Sequence, residues 1–429
     1  MKLHRMALGL IGAVIVLAGC GESERPRLTA MFVSGMGYSE EDISALTDAF
    51  QKTHREIEVS AFFVPYESQH NAIVASGASR ALAYDVVQVD GTWTAEFAEG
   101  EYLVDVTARL AGESASDIVP CAMDAFTKNG KLYAMPWLTD CEFLFYSKRM
   151  LKEAGFTSPP RTWDELRSQA QAIKKAGIVA YPIIAQWGHG EDLVCDFGCM
   201  LFGRGGEFVT AESREPGAGS KAGFAGPAGV DALAFMKRLL DEGLVNPASL
   251  EARSDDAQRV LCEGQAAFNV NWVYVYGLAN DAAVSKAAGQ IEIAPVPGDG
   301  QREGVSVGRG MGLGIVARSR MPDKAWEYIR FIASQENQRK YCGTWLPVYR
   351  SLYGEGKLPG IGVRVLAVAT EQQKGVRNRP SVYYYVKMSS ALQDEMQEAL
   401  RGNKEPGRAL TAAAERTREE ARQKPVRRP

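Results

Sequence analysis

The chain has 429 residues, 24% charged and 46% hydrophobic, the balance of an ordinary globular protein; disordered and collagen-like classes are excluded. That length is enough for two or three cores of usual size. Forty-nine basic residues stand against fifty-two acidic ones, a net charge of −3, so no basic surplus exists to neutralise a phosphate backbone, which argues against nucleic acid as a partner.

Lys2 and Arg5 precede residues 6–18, an uncharged, mostly apolar run. A bilayer span needs about twenty residues, so this shorter run has the anatomy of a signal peptide. It ends in Leu17-Ala18-Gly19-Cys20, which resembles a bacterial lipobox, whose cysteine carries the lipid and becomes the mature N-terminus. The expectation is a signal peptide over 1–19, a lipid on Cys20 and a tether over 20–27. Such a protein is exported and held to a membrane by buried methylenes, facing the periplasm or the cell exterior. Its mature charge is about −5 once Lys2 and Arg5 are removed.

Six further cysteines remain: Cys121, Cys141, Cys195, Cys199, Cys262 and Cys342. An exported compartment permits disulfides, and six cysteines allow fifteen pairings, among which the sequence does not choose. Buried free thiols are equally consistent. His54, His70 and His189 are widely separated and lack ligand spacing, so neither a metal nor a cofactor is expected.

In chain order, residues 28–34 read as a strand and 40–50 as a helix, with Ile43, Leu46, Ala49 and Phe50 at helical spacing. Residues 56–64 alternate as a strand, 70–83 read as a helix and 85–89 as a short buried strand. This rhythm implies an α/β fold with mostly parallel sheets covered by helices. Residues 161–177 give the clearest helix. Thr162 and Glu165 suit a capping box, Trp163, Leu166, Ala170 and Ile173 form its stripe, and Gly177 ends it. Strands are expected at 178–184, 265–272 and 291–297, and an amphipathic helix at 323–333, with Trp163 and Trp326 in the core. Residues 212–229 and the glycine-rich 298–314 are expected to be irregular, and 405–429 to run into a charged helix.

Catalytic motifs are weak. Gly304-Val305-Ser306-Val307-Gly308 matches a nucleophile elbow, but no histidine follows Ser306. The glycines from Gly308 to Gly314 lack dinucleotide spacing, and no phosphate loop occurs. No enzyme is expected, and a hydrolase using Ser306 or a glycosidase carboxylate pair is kept only as an alternative.

Several segments resemble one family. They are Asp85-Val86-Val87-Gln88-Val89-Asp90-Gly91-Thr92-Trp93, Gly130-Lys131-Leu132-Tyr133-Ala134-Met135-Pro136-Trp137, and Pro159-Pro160-Arg161-Thr162-Trp163-Asp164-Glu165-Leu166. Ala325-Trp326-Glu327-Tyr328-Ile329 and Arg379-Pro380 complete the pattern. Together they resemble family 1 extracellular solute-binding proteins of bacterial ABC importers, and most closely the trehalose/maltose-type branch.

The resemblance implies a two-lobed periplasmic-binding-protein fold, each lobe a mostly parallel sheet flanked by helices, with ligand in the cleft between lobes. Residues 28–138 with about 310–335 would form the first lobe, and 139–309 with about 336–429 the second; the chain would cross near 135–142, 308–314 and 334–342. It further implies a monomer that captures a sugar such as trehalose or maltose by hinge closure and delivers it to ABC permease subunits. A polyol or sugar phosphate on the same fold is the alternative.

Sugar hydroxyls call for carboxylates and arginine, and sugar C–H faces for aromatic rings. Asp90 ends a strand, where α/β sheets place ligands. Asp140 lies in Pro136-Trp137-Leu138-Thr139-Asp140, Glu191 precedes a helix, and Trp272 and Tyr274 stand in Asn271-Trp272-Val273-Tyr274. With Gly310 and Arg379, these are the expected ligand contacts by likeness to the family. Trp93, Trp137, Arg309 and Trp345 are weaker candidates, and Tyr383-Tyr384-Tyr385 is read as packing. Where relatives carry Gly-Gly-Trp, this chain has Gly308-Arg309-Gly310-Met311-Gly312. A cation thus replaces a stacking ring, and an anionic or strongly hydroxylated ligand could meet it.

Overall fold

The computed structural model of the chain describes residues 25–78, 84–110, 115–210 and 222–423. The signal peptide, Cys20 and most of the tether lie outside the described residues, as do 79–83 at the end of the second expected helix.

Strand β1 (Arg27–Val33) leads through helix Glu40–Thr53 to β2 (Glu58–Val64), and helix Tyr66–Ala78 precedes β3 (Val86–Asp90). Ser39 starts the first helix by accepting the Asp42 N–H at 3.0 Å, and Glu40, Glu41 and Asp42 suit the positive end of its dipole. Ile43, Leu46 and Phe50 are its buried stripe. β1 pairs in parallel with both β2 and β3, as the β-α-β-α-β rhythm predicts.

β4 (Thr127–Lys128) and β5 (Lys131–Leu132) form a hairpin closed by Asn129 and Gly130, both at positive φ, the usual pair for such a turn. β6 (Met135–Ser147) follows, and all thirteen of its residues are buried. It pairs antiparallel with β7 (Phe268–Trp272), β8 (Ile291–Ala294), β9 (Ser306–Ile315) and β10 (Leu346–Pro347). β9 in turn pairs with β3, and β11 (Val376–Asn378) runs parallel to it. Successive side chains of β6 feed opposite apolar clusters, Phe143 and Phe145 one way, Leu144 and Tyr146 the other.

Three expectations change. The parallel character is confined to β1–β3 and β9–β11, because β6 and β9 are long antiparallel strands that carry the sheet across the molecule. The glycine-rich segment is irregular only as far as residue 305; from Ser306 it is β9. Its glycines are needed for close packing rather than looping. A Cβ at Gly312 would lie 2.9 Å from the Phe126 ring, and one at Gly314 would lie 3.0 Å from Leu103. The expected strand at 178–184 makes only bridges at Ile183, since Pro182 has no N–H to extend a ladder. In the segment of the third expected crossing, residues 335–341 form helix Gln335–Tyr341, capped by Ser334.

The helix Trp163–Lys175 is as expected. Thr162 Oγ1 accepts the Glu165 N–H at 3.1 Å, and Glu165 reaches back to the Arg161 N–H at 2.7 Å. Helix Pro322–Ile332 buries Trp326 and Ile329. None of the six cysteines from Cys121 to Cys342 is paired in a disulfide; all but Cys121 are buried.

Beside β6 lies a buried polar group. Gln186 Nε2 donates to Glu142 Oε1 at 2.6 Å and to Asp196 Oδ1 at 2.9 Å. Trp187 Nε1 donates to Asp196 Oδ2 at 2.8 Å, and the Cys199 thiol donates to Glu142 Oε2 at 3.0 Å. Burial pushes Asp196 up to about 7. Burial, together with the neighbouring Asp196 charge, pushes Glu142 well above the usual carboxylate range.

Two predictions follow from this packing. Gly312→Val should cost about 1–3 kcal/mol through overpacking. Gly277→Ala, in helix Tyr274–Asn280 with open space around it, should be neutral or stabilising by up to about 1 kcal/mol. Chemical denaturation of both variants checks this. For Glu142, the folded state holds its proton more tightly than the unfolded chain does. Its contribution is full below about pH 4 and is lost as pH rises toward its raised folded value. Glu142→Gln removes that titration, so its stability advantage over wild type should widen steadily from pH 4 to 8; a constant difference in melting temperature would contradict the assignment.

Candidate functional site

Asp90 closes β3 and turns the chain into a short 3-10 turn by accepting the Thr92 N–H at 2.8 Å and the Thr92 hydroxyl at 2.7 Å. Its other oxygen accepts the Tyr66 hydroxyl at 3.0 Å. Arg379, 6% exposed, points at this carboxylate, its Nη2 lying 3.9 Å from Asp90 Oδ1. Arg379 Nη1 donates to Glu191 Oε1 at 2.6 Å. Glu191 opens helix Glu191–Gly203, where the helix dipole favours an anion, and it also accepts the hydroxyls of Tyr385 and Ser389. Segments more than a hundred residues apart thus meet at one guanidinium. Burial opposes the Arg379 charge, but the Glu191 and Asp90 carboxylates beside it hold its pKa above the ordinary range.

A second cluster forms on β6 and β9. Their register sets Asp140 opposite Arg309 and therefore on the same face. Arg309 Nη2 lies 3.4 Å from Asp140 Oδ2, and the Cys141 N–H donates to Asp140 Oδ1 at 2.9 Å. Burial pushes Asp140 up to about 7, with Arg309 and that N–H opposing the rise. The Arg309 guanidinium carbon lies 4.1 Å from the centre of the Trp272 ring and 4.2 Å from that of Trp345. Trp272 stands opposite Glu142 across β6 and β7, and its Nε1 donates to Asp192 Oδ1 at 3.3 Å. Neighbouring residues of one helical turn, Glu191 and Asp192, therefore hold the two clusters.

The expected residues Asp90, Glu191 and Arg379 meet in the first cluster, and Asp140, Trp272, Arg309 and Trp345 in the second. Trp93 stacks on Tyr66 with ring centres 5.4 Å apart and so borders Asp90. Tyr274 is partly buried at the start of its helix, beyond Trp272. Trp137 stays apart. It packs edge-on against Tyr38 and Phe32 in the core, as an inward-facing strand residue does. Gly310 faces the other side of β9, where its Cβ would sit 3.4 Å from Ala125 and Phe126, so its place in the strand is explained by packing. Ser306 is fully buried and donates to the Glu142 carbonyl at 2.8 Å, a structural bond.

Tyr66, Asp192, Tyr385 and Ser389 were missed by sequence reasoning. Tyr385 sat in a run read as packing, and its spacing to Ser389, one helical turn on, was the available signal. Tyr66 carried no signal, because its role depends on where β3 ends.

A groove of about 750 Å3 lies elsewhere, lined by Cys121, Asp124, Phe202, Tyr353, Arg377 and Asn378. None of the expected ligand residues lines it. Asn378 meets the glycine face of β9, opposite to Arg309. Around Arg379 and Arg309, the charged groups pair with each other: Arg379 with Glu191, and Arg309 with Asp140.

The fold agrees with known proteins. A "Probable ABC transporter-binding protein" of Deinococcus radiodurans is 28% identical over 355 residues, covering 80% of this chain and 81% of that one. The maltose-bound structure of T. maritima MalE3 superposes with a TM-score of 0.76 at 26% identity, covering 92% of this chain and 99% of that one. A solute-binding protein of Thermotoga lettingae bound with α-D-tagatose shares the fold, with a TM-score of 0.79 at 24% identity over 92% of this chain and all of that one. The two-lobed architecture is that of these proteins. Residues 37–339 match the family described as bacterial extracellular solute-binding protein, and the chain belongs to that family.

Proposed function

We propose that this chain captures a neutral sugar or polyol outside the cell and delivers it to the permease of an ABC importer. One observation carries the reading: the buried Arg379 is held between Glu191 and Asp90, and Asp90 also accepts the hydroxyl of Tyr66, whose ring stacks on Trp93. Carboxylates and a guanidinium bind hydroxyls through charge-assisted hydrogen bonds, and aromatic faces cover C–H patches. The maltose in the T. maritima structure supports a sugar as the ligand class. Each guanidinium already faces a carboxylate, which favours an uncharged ligand over a sugar phosphate.

In this reading β6 and β9 are the strands that join the lobes. The first lobe comprises 28–138 with about 310–335, and the second 139–309 with about 336–429. Asp90 and Tyr66 then lie on one lobe and Glu191, Arg379 and Tyr385 on the other, so hinge opening separates them. The lipid on Cys20 keeps the monomeric body close to the permease, and the protein carries out no catalysis.

Thermal-shift measurements with glucose, maltose, trehalose, sucrose, mannitol and glucose 6-phosphate test this. A ligand that binds only the folded state adds about 2.7 kcal/mol at a hundred times its Kd, so the melting temperature should rise with dose for a sugar or polyol. Arg379→Ala and Asp90→Asn should each weaken binding at least tenfold. If no neutral compound shifts the protein, or if both variants bind like wild type, the proposal fails.

A further inference from the structure

Building on the sugar-binding reading, we propose that Arg309 is a resident layer between Trp272 and Trp345 that restricts the site to a single sugar ring or a linear polyol. Two indole faces on either side of one flat group make a slot that a sugar ring can enter by its C–H faces. Here the guanidinium fills it, about 4 Å from each ring centre, at van der Waals and cation–π contact. A second sugar ring and this guanidinium cannot share the space.

Three observations hold Arg309 there. Its partner Asp140 is fully buried, and moving the cation away would strand a buried carboxylate. Its backbone is held in a ladder with β6, opposite Asp140. The flanking Gly308 and Gly310 turn the other way and abut Asn378, Ala125 and Phe126, which leaves β9 no room to shift. Moreover, Arg309 Nε has no hydrogen-bond partner among the described residues, so stacking and the Asp140 contact determine its position. The indoles are 1% and 4% exposed, already covered by the protein's own side chain. What remains for a ligand is the Arg379, Glu191, Asp90 and Tyr66 cluster, with the edge of Arg309 as a wall.

Isothermal titration of the purified protein with glucose, galactose, mannitol, ribitol, maltose and trehalose tests this. Wild type should bind its best single-ring or linear ligand at least tenfold more tightly than either disaccharide. Arg309→Ala should raise disaccharide binding at least tenfold relative to that ligand. The pair Arg309→Ala with Asp140→Asn, which leaves no orphaned carboxylate, should shift the ratio in the same direction. A disaccharide that binds wild type as tightly as the best small ligand overturns the inference alone, whether or not the variants fold. So does an unchanged ratio in folded variants. Binding of none of the six compounds overturns the sugar-binding reading, and this inference with it.

Discussion

β6 is a strand without a solvent-facing residue, and its polar side chains must therefore find partners inside the protein. Thr139 donates to the Arg309 carbonyl at 3.4 Å, Asp140 takes the Arg309 guanidinium, and Glu142 takes Gln186 and the Cys199 thiol. Each of these partners sits on a different element: β9, the segment before helix Glu191–Gly203, and that helix itself. Satisfying one strand thus positions the surrounding elements, and the candidate site arises where those elements meet.

The site is built from charges that satisfy one another. Arg379 pairs with Glu191 and Arg309 with Asp140, while Asp192 holds the Trp272 indole. A ligand hydroxyl gains only the difference between its own bonds and those it replaces, which suits capture that has to be reversible. The two clusters are not independent, since Glu191 and Asp192 belong to one helical turn. Movement of that turn would shift a carboxylate against Arg379 and an indole against Arg309 together.

β9 has two functions because of strand alternation. One face presents Gly308, Gly310, Gly312 and Gly314, which let Asn378, Ala125, Phe126 and Leu103 approach the backbone closely. The other face carries Arg309 and Met311. The close packing on the glycine side keeps the strand in register, and that register places Arg309 opposite Asp140.

Local pattern determined much of this protein. The parallel unit β1–β3, the cap and stripe of helix Trp163–Lys175 and the place of Asp90 at the end of a strand were legible because each depends on residues close in sequence, whereas Asp140, Glu191, Trp272 and Arg379 were singled out by likeness to the family. Strand spacing, a capping box and a carboxylate after a buried strand are local features. Tertiary structure decided the rest. The glycine run became a strand because Phe126 and Ala125, from far earlier in the chain, needed its bare face. Trp137 went to the core and Trp345 to Arg309, a choice that no property of a lone tryptophan contains. The roles of Tyr66 and Ser389 depend on partners more than twenty and nearly two hundred residues away. Local sequence specifies which elements form and which side chains they carry; the pairing of those side chains is set by the register between β6 and its neighbours, a long-range property of the packed sheet.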